Sequence, residues 1–480
     1  MKPQTKEFRR VAAKTMVDPR LQKALEGVYN GFYKGRIAAA EATDRWEEQR
    51  EQGRAIKEHT INHLDYYLEL LADNVEKHGG RVFFAADVDA ANKYVIDLAL
   101  SRSVKTVIKS KSMVSEEMGL NHVFEQNGIE SVETDLGEYI IQLAGETPYH
   151  LIAPAIHKSR DQVSDLLAAK AGGERKERAE DLTMQARAQL REAFQKADMS
   201  VTGVNFAVAE SGSIVLVTNE GNGRMATSAP RIHVACMGME KVVPSVQDLG
   251  TMLRILIRSA TGQRISSYVT MINGPRAPEE EDGPEEFHLV IVDNGRSKLL
   301  ADPALREALN CIRCGACMNA CPVYRKVGGH SYGWVYPGPI GAIVTPALTG
   351  LKQGKDLPYA STLCGACREA CPVKIDLPRM LLELRGQVTE GHPDPTQRSS
   401  SFAERIVWKA WRFGMSSRGR FDLGARAARA VLKPLSVGGW LRRSPPPVSG
   451  WTSSRDFPLP ASESFRAKFK RRQSKRAGKK

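Results

Sequence analysis

The chain has 480 residues, more than one hydrophobic core usually requires, so its length predicts two or three domains. Its 42% hydrophobic and 26% charged residues are ordinary for a soluble globular protein. The net charge of +14 would favour a nucleic-acid partner if it were spread over the chain, but residues 401–480 hold 20 Lys and Arg against 4 Asp and Glu. The first 400 residues sum to −2, so the folded body is close to neutral.

Nothing near the N-terminus resembles a targeting segment. The first twenty residues carry charges throughout and lack the apolar core of a secretory signal. No stretch approaches the roughly 18 apolar residues of a membrane span. These features predict a cytoplasmic protein, in which eight cysteines serve metal or redox chemistry rather than disulfides.

Residues 1–80 form the first predicted domain, an N-terminal helical arm. Apolar residues recur every three to four positions from residue 36 onward, and His78 with two glycines closes the run. The pattern predicts one long helix or a pair of helices that packs on the domain that follows.

Residues 81–295 change to short apolar runs and are predicted to form an α/β domain. Each of the following runs is predicted as a strand: RVFFAAD, VKTVIKS, HLIAPAI, VNFAVAE, SIVLVTN, RIHVACM, SYVTMIN and FHLVIVD. DAANKYVIDLALSR, between the first two, is predicted as a crossover helix, and crossovers indicate a mostly parallel sheet. The AESGS turn at 209–213 indicates an antiparallel hairpin, so we expect a mixed sheet.

Two loops and one cysteine of this domain are candidate ligand-binding positions. Lys109 and Lys111 follow a predicted strand, where α/β sheets tend to bind ligands, but a solvated basic turn is favoured. NEGNGR at 219–224 is glycine-rich enough to hold an anion on its amides, yet a flexible turn is favoured there as well. Cys236 stands alone in an apolar run, which favours a small buried hydrophobic residue over a ligand or nucleophile.

Residues 296–400 form the cysteine domain, in which one motif occurs twice. Residues 311–322 read CIRCGACMNACP and residues 361–372 read STLCGACREACP, so the two copies differ in cysteine spacing only where Ser361 answers Cys311. The first copy is the C-x2-C-x2-C-x3-C-P run of bacterial ferredoxins, whose first three cysteines bind one cluster and whose fourth binds the other. It predicts a helical, ferredoxin-like domain with two iron–sulfur clusters.

Applied to both copies, this rule gives two crossed ligand sets. The first cluster takes Cys311, Cys314, Cys317 and Cys371, and the second takes Cys321, Cys364 and Cys367. Zinc is the alternative, because CxxC pairs also build sites of four thiolates. Seven thiols in two interleaved triplets exceed one zinc site and fall short of two, so iron–sulfur clusters are favoured.

Residues 401–480 form a basic C-terminal extension whose end, FKRRQSKRAGKK, is predicted to be disordered because it cannot bury apolar area. Basic residues favour an acidic partner or an anionic membrane surface. Core packing is the favoured use of its aromatic and aliphatic side chains: Phe402, Ile406, Trp408 and Trp411. Nucleic-acid binding is disfavoured, since the extension lacks interleaved aromatic residues and a folded framework.

No dinucleotide fingerprint, P-loop or hydrolase elbow occurs in the chain, so binding of a nicotinamide cofactor has no support in the sequence. The cysteine runs and several segments of the α/β region resemble the lactate utilization protein B family. The resemblance rests on KSKSMVSEEMGLN, ETDLGEYIIQLAGETPYHLIAPAIHKSR, GVNFAVAESGSIVLVTNEGNGRM and both cysteine runs, and it covers residues 20–400.

The resemblance implies a fold and a role. The fold is an α/β domain similar to sugar-phosphate isomerases and CoA transferases, followed by a ferredoxin-like domain with two [4Fe–4S] clusters, the second held by three cysteines and open to conversion to [3Fe–4S]. The role is electron transfer, with lactate utilization proteins A and C, during NAD-independent oxidation of L-lactate to pyruvate. No catalytic residue is implied. The alternative is that this chain is itself the subunit that binds and oxidises lactate.

Overall fold

The structure is a computed structural model that describes residues 3–392, 394, 396, 402–444 and 449–477. It divides into two compact units, the first formed by Met1–Val388 and His392–Arg398 and the second by Thr389–Gly391 and Ser399–Lys480. The predicted boundaries at 80/81, 295/296 and 400/401 remain predictions.

The N-terminal region is helical, as expected, but more segmented than one arm or a pair. Its helices are α1 (Phe8–Val17), α2 (Pro19–Val28), α3 (Lys34–Glu41), α4 (Trp46–Asn62) and α5 (Leu64–Lys77). Asp18 caps α2 by accepting from the N–H groups of Arg20 and Leu21. The periodic run breaks before α4 because Arg45 has a left-handed backbone, with φ of 53°.

Ten strands lie in the described part of the first unit: β1 (Arg81–Ala85), β2 (Thr106–Lys109), β3 (Glu130–Glu133), β4 (Met199–Gly203), β5 (Phe206–Val208), β6 (Ser213–Thr218), β7 (Ile232–Gly238), β8 (Val242–Val243), β9 (Tyr268–Ile272) and β10 (Glu286–Val292). Six of them form one sheet in the order β1-β10-β7-β4-β2-β3, and every neighbouring pair is parallel. All seven residues of β7 are buried, as expected for a central strand covered on both faces.

The antiparallel hairpin is present, but in a second sheet rather than in the parallel one. The turn 209–212 joins β5 to β6 in antiparallel pairing, and the four-stranded sheet has the order β8-β5-β6-β9. The predicted crossover helix is α6 (Val88–Ser101). The remaining helices of this region are α7 (Met113–Met118), α8 (Leu120–Gln126), α9 (Leu136–Ala144), α10 (Arg160–Lys170), α11 (Ala179–Lys196), α12 (Asn222–Ser228) and α13 (Val246–Thr261).

The strand predicted for HLIAPAI at 150–156 is wrong, because this segment forms turns. The ring nitrogen Nδ1 of His150 accepts from the backbone N–H groups of Ile152 and Ala153 at 3.0 and 3.3 Å. Tyr149 donates its own N–H to the carbonyl of Pro154 at 3.0 Å. These local bonds use the groups that a strand would need for its ladder.

The cysteine region of the first unit consists of short helices. They are α14 (Arg296–Ala301), α15 (Ala316–Ala320), α16 (Tyr324–Val327), α17 (Gly338–Thr349), α18 (Leu351–Gly354), α19 (Ala366–Ala370) and α20 (Leu377–Glu390). Buried residues from this region, from the parallel sheet and from α4 and α5 belong to one apolar cluster, so the cysteine loops pack directly on the α/β region.

The second unit contains α21 (Phe402–Met415), α22 (Arg418–Leu432), β11 (Trp440–Leu441), β12 (Phe457–Pro458) and α23 (Phe465–Ala477). The prediction that the apolar side chains of α21 pack in a core is wrong, because four of them are exposed: Phe402, Ile406, Trp408 and Trp411. The terminus expected to be disordered is helical over Phe465–Ala477, and residues 478–480 lie outside the described residues.

A buried ion network ties the α/β region to the cysteine region. Arg296, 1% exposed, donates to Glu117 Oε2 and to Glu240 Oε2, both at 2.8 Å. Tyr336 Oη donates to Glu117 Oε2 at 2.6 Å, and Arg313 Nη2 lies 3.3 Å from Glu240 Oε1. Each charge in this network is compensated only while its partners stay in place.

Arg296→Met should lower the free energy of unfolding by about 3–5 kcal/mol, because two buried carboxylates lose their partner. Urea denaturation of the two proteins measures the difference. Arg54→Met is the matched control: its ion pairs with Glu51 and Glu58 are on the surface, so a loss under about 1 kcal/mol is expected. Equal losses in the two variants would contradict the prediction.

The same network predicts a stability loss in acid. Burial alone would raise the pKa of Glu240, but Arg296 and Arg313 outweigh it and hold the pKa at about 2, below the ordinary value of 4.5. A lowered folded-state pKa stabilises the fold above the unfolded value and ceases to do so as pH falls from about 4.5 towards 2. Denaturation midpoints across that range should fall more for the native chain than for Glu240→Gln.

Candidate metal centre

The two cysteine motifs form two loops with the same backbone conformation. In the first copy Arg313 and Gly315 have φ of 61° and 74°, and in the second Leu363 and Gly365 have φ of 57° and 87°. Each loop then enters a five-residue helix, α15 or α19, and these two helices pack on each other. A non-glycine residue with positive φ is strained, and it occurs at the same position in both copies.

The loops also make matching backbone bonds to their ligand-type side chains. The N–H of Arg313 points at Cys311 Sγ at 3.4 Å, and the N–H of Leu363 points at Ser361 Oγ at 3.1 Å. Ser361 therefore stands where Cys311 stands in the first copy, with the same acceptor geometry. Sequence reasoning found the substitution, and the structure adds that the hydroxyl faces the same way relative to its own loop.

The seven motif cysteines lie close together in the cysteine region, and their division into two ligand sets stays a prediction. A small cavity is bordered by Pro372, by loop residues around it and by the four thiols predicted to bind the first cluster. These thiols, the first group, are Cys311, Cys314, Cys317 and Cys371. Burial, and next the neighbouring Cys371, raise the pKa of Cys314. The second group is formed by Cys321, Cys364 and Cys367: burial, and next Cys321, raise the pKa of Cys367 to about 12. The groups are adjacent, since Cys317 interacts with Cys367 as well as with its own set.

The spacing of the sulfurs argues against a single zinc ion. Zinc bound by four thiolates at about 2.3 Å needs sulfurs roughly 3.8 Å apart. Over the described ranges, which include all eight cysteines, the one group of three or more ligand side chains whose atoms lie within 4.8 Å of one another is Glu146, His157 and His330. No three cysteine sulfurs in these ranges lie that close to one another, whereas a four-iron cluster binds its ligands on separate irons and does not need such a spacing.

Positive charge surrounds the first group. Arg50 donates to the carbonyl of Cys371 from Nε at 3.1 Å and from Nη2 at 2.8 Å. The cations close enough to interact electrostatically with these thiols are Arg36, Arg50, Lys57, Lys241 and Arg313. Among the described residues no Lys or Arg is a main influence on the second group, where burial raises the pKa of Cys321 and Thr362 lowers that of Cys364.

The two groups also differ in exposure. Cys314 and Cys317 are 7% and 8% exposed, whereas Cys364 is exposed outright. The first loop is covered by the segment 150–152, in which His150 bonds to Asn319 Oδ1 at 2.8 Å. The second loop has no such cover at Thr362 and Cys364, so the second group is the one that reaches the surface of the first unit.

A larger cavity of ≈ 440 Å³ adjoins the first cysteine loop. It lies at the carboxyl ends of β2, β4 and β7, and its wall includes Arg313 and Tyr336 from the cysteine region. Asn219, Glu220 and Asn222 of the NEGNGR segment line it too, and α12 begins within that segment, so the favoured flexible turn is only part of its structure.

The lysines after β2 are not in a solvated turn, so that expectation is wrong. Lys109 is fully buried, and its ammonium contacts Glu133 and lies 3.3 Å from Glu116 Oε1. Lys111 lines the cavity and donates to the carbonyl of Ile152 at 2.6 Å. Cys236 is buried on β7, as expected, and burial raises its pKa to about 12.

Sequence reasoning missed three residues of this region: Lys241, Arg313 and Tyr336. Arg313 lies between the first two cysteines of the first motif, and Lys241 lies shortly after the end of β7. A charged residue soon after a mostly apolar strand, as in RIHVACMGMEK, was the available signal for Lys241.

Three family models match the chain. The LUD domain matches residues 68–292, the 4Fe-4S dicluster domain residues 307–375, and the model described as lactate utilisation protein B, C-terminal, residues 385–474. Together with the geometry, these matches define an iron–sulfur protein in which a parallel α/β domain precedes the cysteine domain. No helix in the described ranges is both long and apolar enough to cross a membrane.

Curated relatives identify the family within that class. The lactate utilization proteins B of Shouchella clausii and Bacillus thuringiensis are each 46% identical over 98% of this chain and 98% of their own. That of Oceanobacillus iheyensis is 46% identical over 93% of this chain and 92% of its own. The chain belongs to the lactate utilization protein B family.

Among solved structures, a duf162 family protein from Deinococcus radiodurans is similar over 48% of this chain and 98% of its own. The sequence identity is 12% and the TM-score is 0.27.

Proposed function

We propose that this chain is an electron carrier in the oxidation of L-lactate to pyruvate, and that it holds two [4Fe–4S] clusters. The observation that carries the proposal is the repeated cysteine loop: both motifs adopt the same backbone conformation, and their thiols lie close together. Two clusters held side by side supply one-electron transfer over a short distance. Membership of the lactate utilization protein B family supports lactate as the substrate of the system.

The proposed ligand sets are crossed between the motifs. Cluster 1 is held by Cys311, Cys314, Cys317 and Cys371, and cluster 2 by Cys321, Cys364 and Cys367. The enclosure of the first four thiols around one cavity supports this assignment, because Cys371 reaches it from the second motif. Cluster 2 keeps one iron without a thiolate.

The chain's own residues give the two ends of this relay different surroundings. At cluster 1 the segment 150–152 excludes water, and Arg50 fixes the Cys371 carbonyl. At cluster 2 the exposed Cys364 brings the redox site to the surface, where a protein donor or acceptor can dock. We propose lactate utilization proteins A and C as partners in the system.

A second candidate is that this chain is itself the lactate-oxidising subunit. The cavity of ≈ 440 Å³ beside the first cysteine loop favours it, because a substrate there would lie next to cluster 1. Calorimetry of L-lactate binding to the isolated chain separates the two: absence of binding without partners favours the carrier.

Three further expectations stay predictions. The α/β domain resembles isomerases and CoA transferases in fold, the protein is cytoplasmic, and its basic extension contacts an acidic partner or the inner face of the membrane. Exposed Trp408 and Trp411 on α21 support such a contact. Nucleic acid remains disfavoured as a partner.

Metal analysis tests the proposed function directly. Protein purified without oxygen should be brown and contain about seven to eight irons per chain, matching amounts of acid-labile sulfide and little zinc. One or two zinc ions without sulfide would refute the central proposal.

Cys371→Ala should damage cluster 1, although residue 371 belongs to the second motif. The reason is that its thiol lies with Cys311 and Cys314. Electron paramagnetic resonance of the reduced variant should show the cluster 2 signal retained and the cluster 1 signal lost or altered. Cys236→Ala is the control, because that thiol is buried in the parallel sheet, and it should leave both signals unchanged. Selective loss of cluster 2 in Cys371→Ala would contradict the crossed ligation.

Ser361→Cys should make cluster 2 more resistant to loss of iron in air. The serine side chain occupies the position of Cys311 in the first loop, and a thiol there ionises near pH 8.5, far more readily than a hydroxyl. Electron paramagnetic resonance during air exposure measures the rate at which the [3Fe–4S] signal appears. Thr362→Cys is a matched control that adds a thiol one position away. Equal rates in native protein and Ser361→Cys would show that residue 361 does not face the open iron.

A further inference from the structure

The cavity beside the first cysteine loop lies between β2 and β4, where the strand order of the parallel sheet reverses. From β2 the chain crosses to β3 on one side, whereas from β4 it returns through the second sheet to β7 on the other side. The connections therefore diverge between β2 and β4, and such a crevice at the carboxyl ends of strands is where open α/β sheets bind ligands. Residues 110–114 after β2 and 203–205 after β4 line it.

The size and walls of the cavity fit an organic molecule. Its volume of ≈ 440 Å³ is within the range of about 300–1,000 Å³ typical of drug-sized ligands and far exceeds that of an inorganic ion. Apolar side chains from three elements form part of the wall, among them Phe32, Leu216 and Leu256. Asn205, Thr218 and Thr261 provide hydrogen-bonding groups among them.

Two cations with unused hydrogen-bond donors stand at the end of the cavity nearest Cys311. The Arg313 side chain is 10% exposed, stacks on the Tyr336 ring at 4.5 Å, and has Nη1 buried without a partner. Lys241 is 9% exposed, and across the residues that the structure describes no group accepts a hydrogen bond from its ammonium. A buried donor without an acceptor is costly, so a bound acceptor would stabilise Arg313. The same acceptor would give Lys241, which also lines the cavity, a partner for its ammonium.

The carboxylates nearby are already engaged. Glu240 accepts from Arg296 and from Nη2 of Arg313, and both oxygens of Glu117 accept from Arg296. Glu240 also attracts the ammonium of Lys241, but its oxygens are already hydrogen-bonded to the two arginines.

We propose that this cavity binds an organic anion whose carboxylate or phosphate is held by Lys241 and Arg313, next to cluster 1. The inference rests on the proposed function only for the presence of that cluster. A small molecule would then bind beside cluster 1, at the buried end of the relay. A protein partner would dock at the other end, where Cys364 is exposed.

Calorimetry on the anaerobically purified full chain tests the site with four probes: L-lactate, pyruvate, flavin mononucleotide and inorganic phosphate. At least one of the three organic anions should bind with a dissociation constant below about 1 mM. Binding of the carboxylic acids alone or of the flavin phosphate alone identifies the group recognised. Binding of none, or binding of inorganic phosphate as tightly as the organic anions, overturns the proposal.

Lys241→Met should weaken the binding of that anion at least about tenfold, since it removes one charged hydrogen bond. Lys105→Met is the matched control, because Lys105 is exposed at the opposite edge of the sheet beside β2, and its affinity should equal that of the native chain. An unchanged affinity in Lys241→Met overturns the proposal. The proposal is also overturned if Lys241→Met changes the spectrum of cluster 1 but not the affinity for the anion. Lys241 would then interact with the cluster and not with a bound anion.

Iron and sulfide are measured on the same preparations. A protein with full iron content that binds none of the organic anions refutes the inference and leaves the electron carrier intact. A protein that binds an organic anion through Lys241 but holds zinc refutes the carrier and leaves the binding site intact.

Discussion

The buried arginine at the junction of the two regions sets the geometry of everything around it. Arg296 satisfies Glu117 from α7 and Glu240 from the segment after β7, and through them it fixes Tyr336 and Arg313 of the cysteine region. Removing any partner would leave a buried charge exposed to an apolar interior. The cavity wall and the first cysteine loop are therefore held by the same ion network, and neither can shift without the other.

Local patterns predicted the strands whose apolar runs are continuous, and they failed where polar side chains are satisfied inside the fold. β4, with the sequence MSVTG, was missed because Ser200 and Thr202 are polar, yet both are fully buried, and Thr202 Oγ1 bonds to His233 at 2.8 Å. HLIAPAI failed in the opposite direction, since His150 captured the backbone groups that its apolar neighbours would have used in a strand. Such bonds join residues through side-chain chemistry that periodicity does not record.

The iron–sulfur domain could be predicted from the sequence because cluster ligation fixes both the spacing and the order of cysteines along the chain. The surroundings of the cysteine groups could not, because they come from distant segments. Arg36 and Arg50 approach the first group from the N-terminal helices, more than 250 residues earlier in the chain, and Lys241 approaches from the α/β region. The motif therefore specifies what is bound, and the tertiary fold specifies its electrostatic environment.

That electrostatic environment differs between the two cysteine groups. Reduction adds an electron, and buried positive charge favours the reduced cluster, whereas an apolar setting disfavours it. The cations gather at the group that contains Cys371, and the main influences on Cys321 and Cys367 in the described residues are burial and backbone amides. The group nearer the cavity that Arg313 and Lys241 line therefore has the more positive surroundings, which favour the reduced form of a cluster bound there.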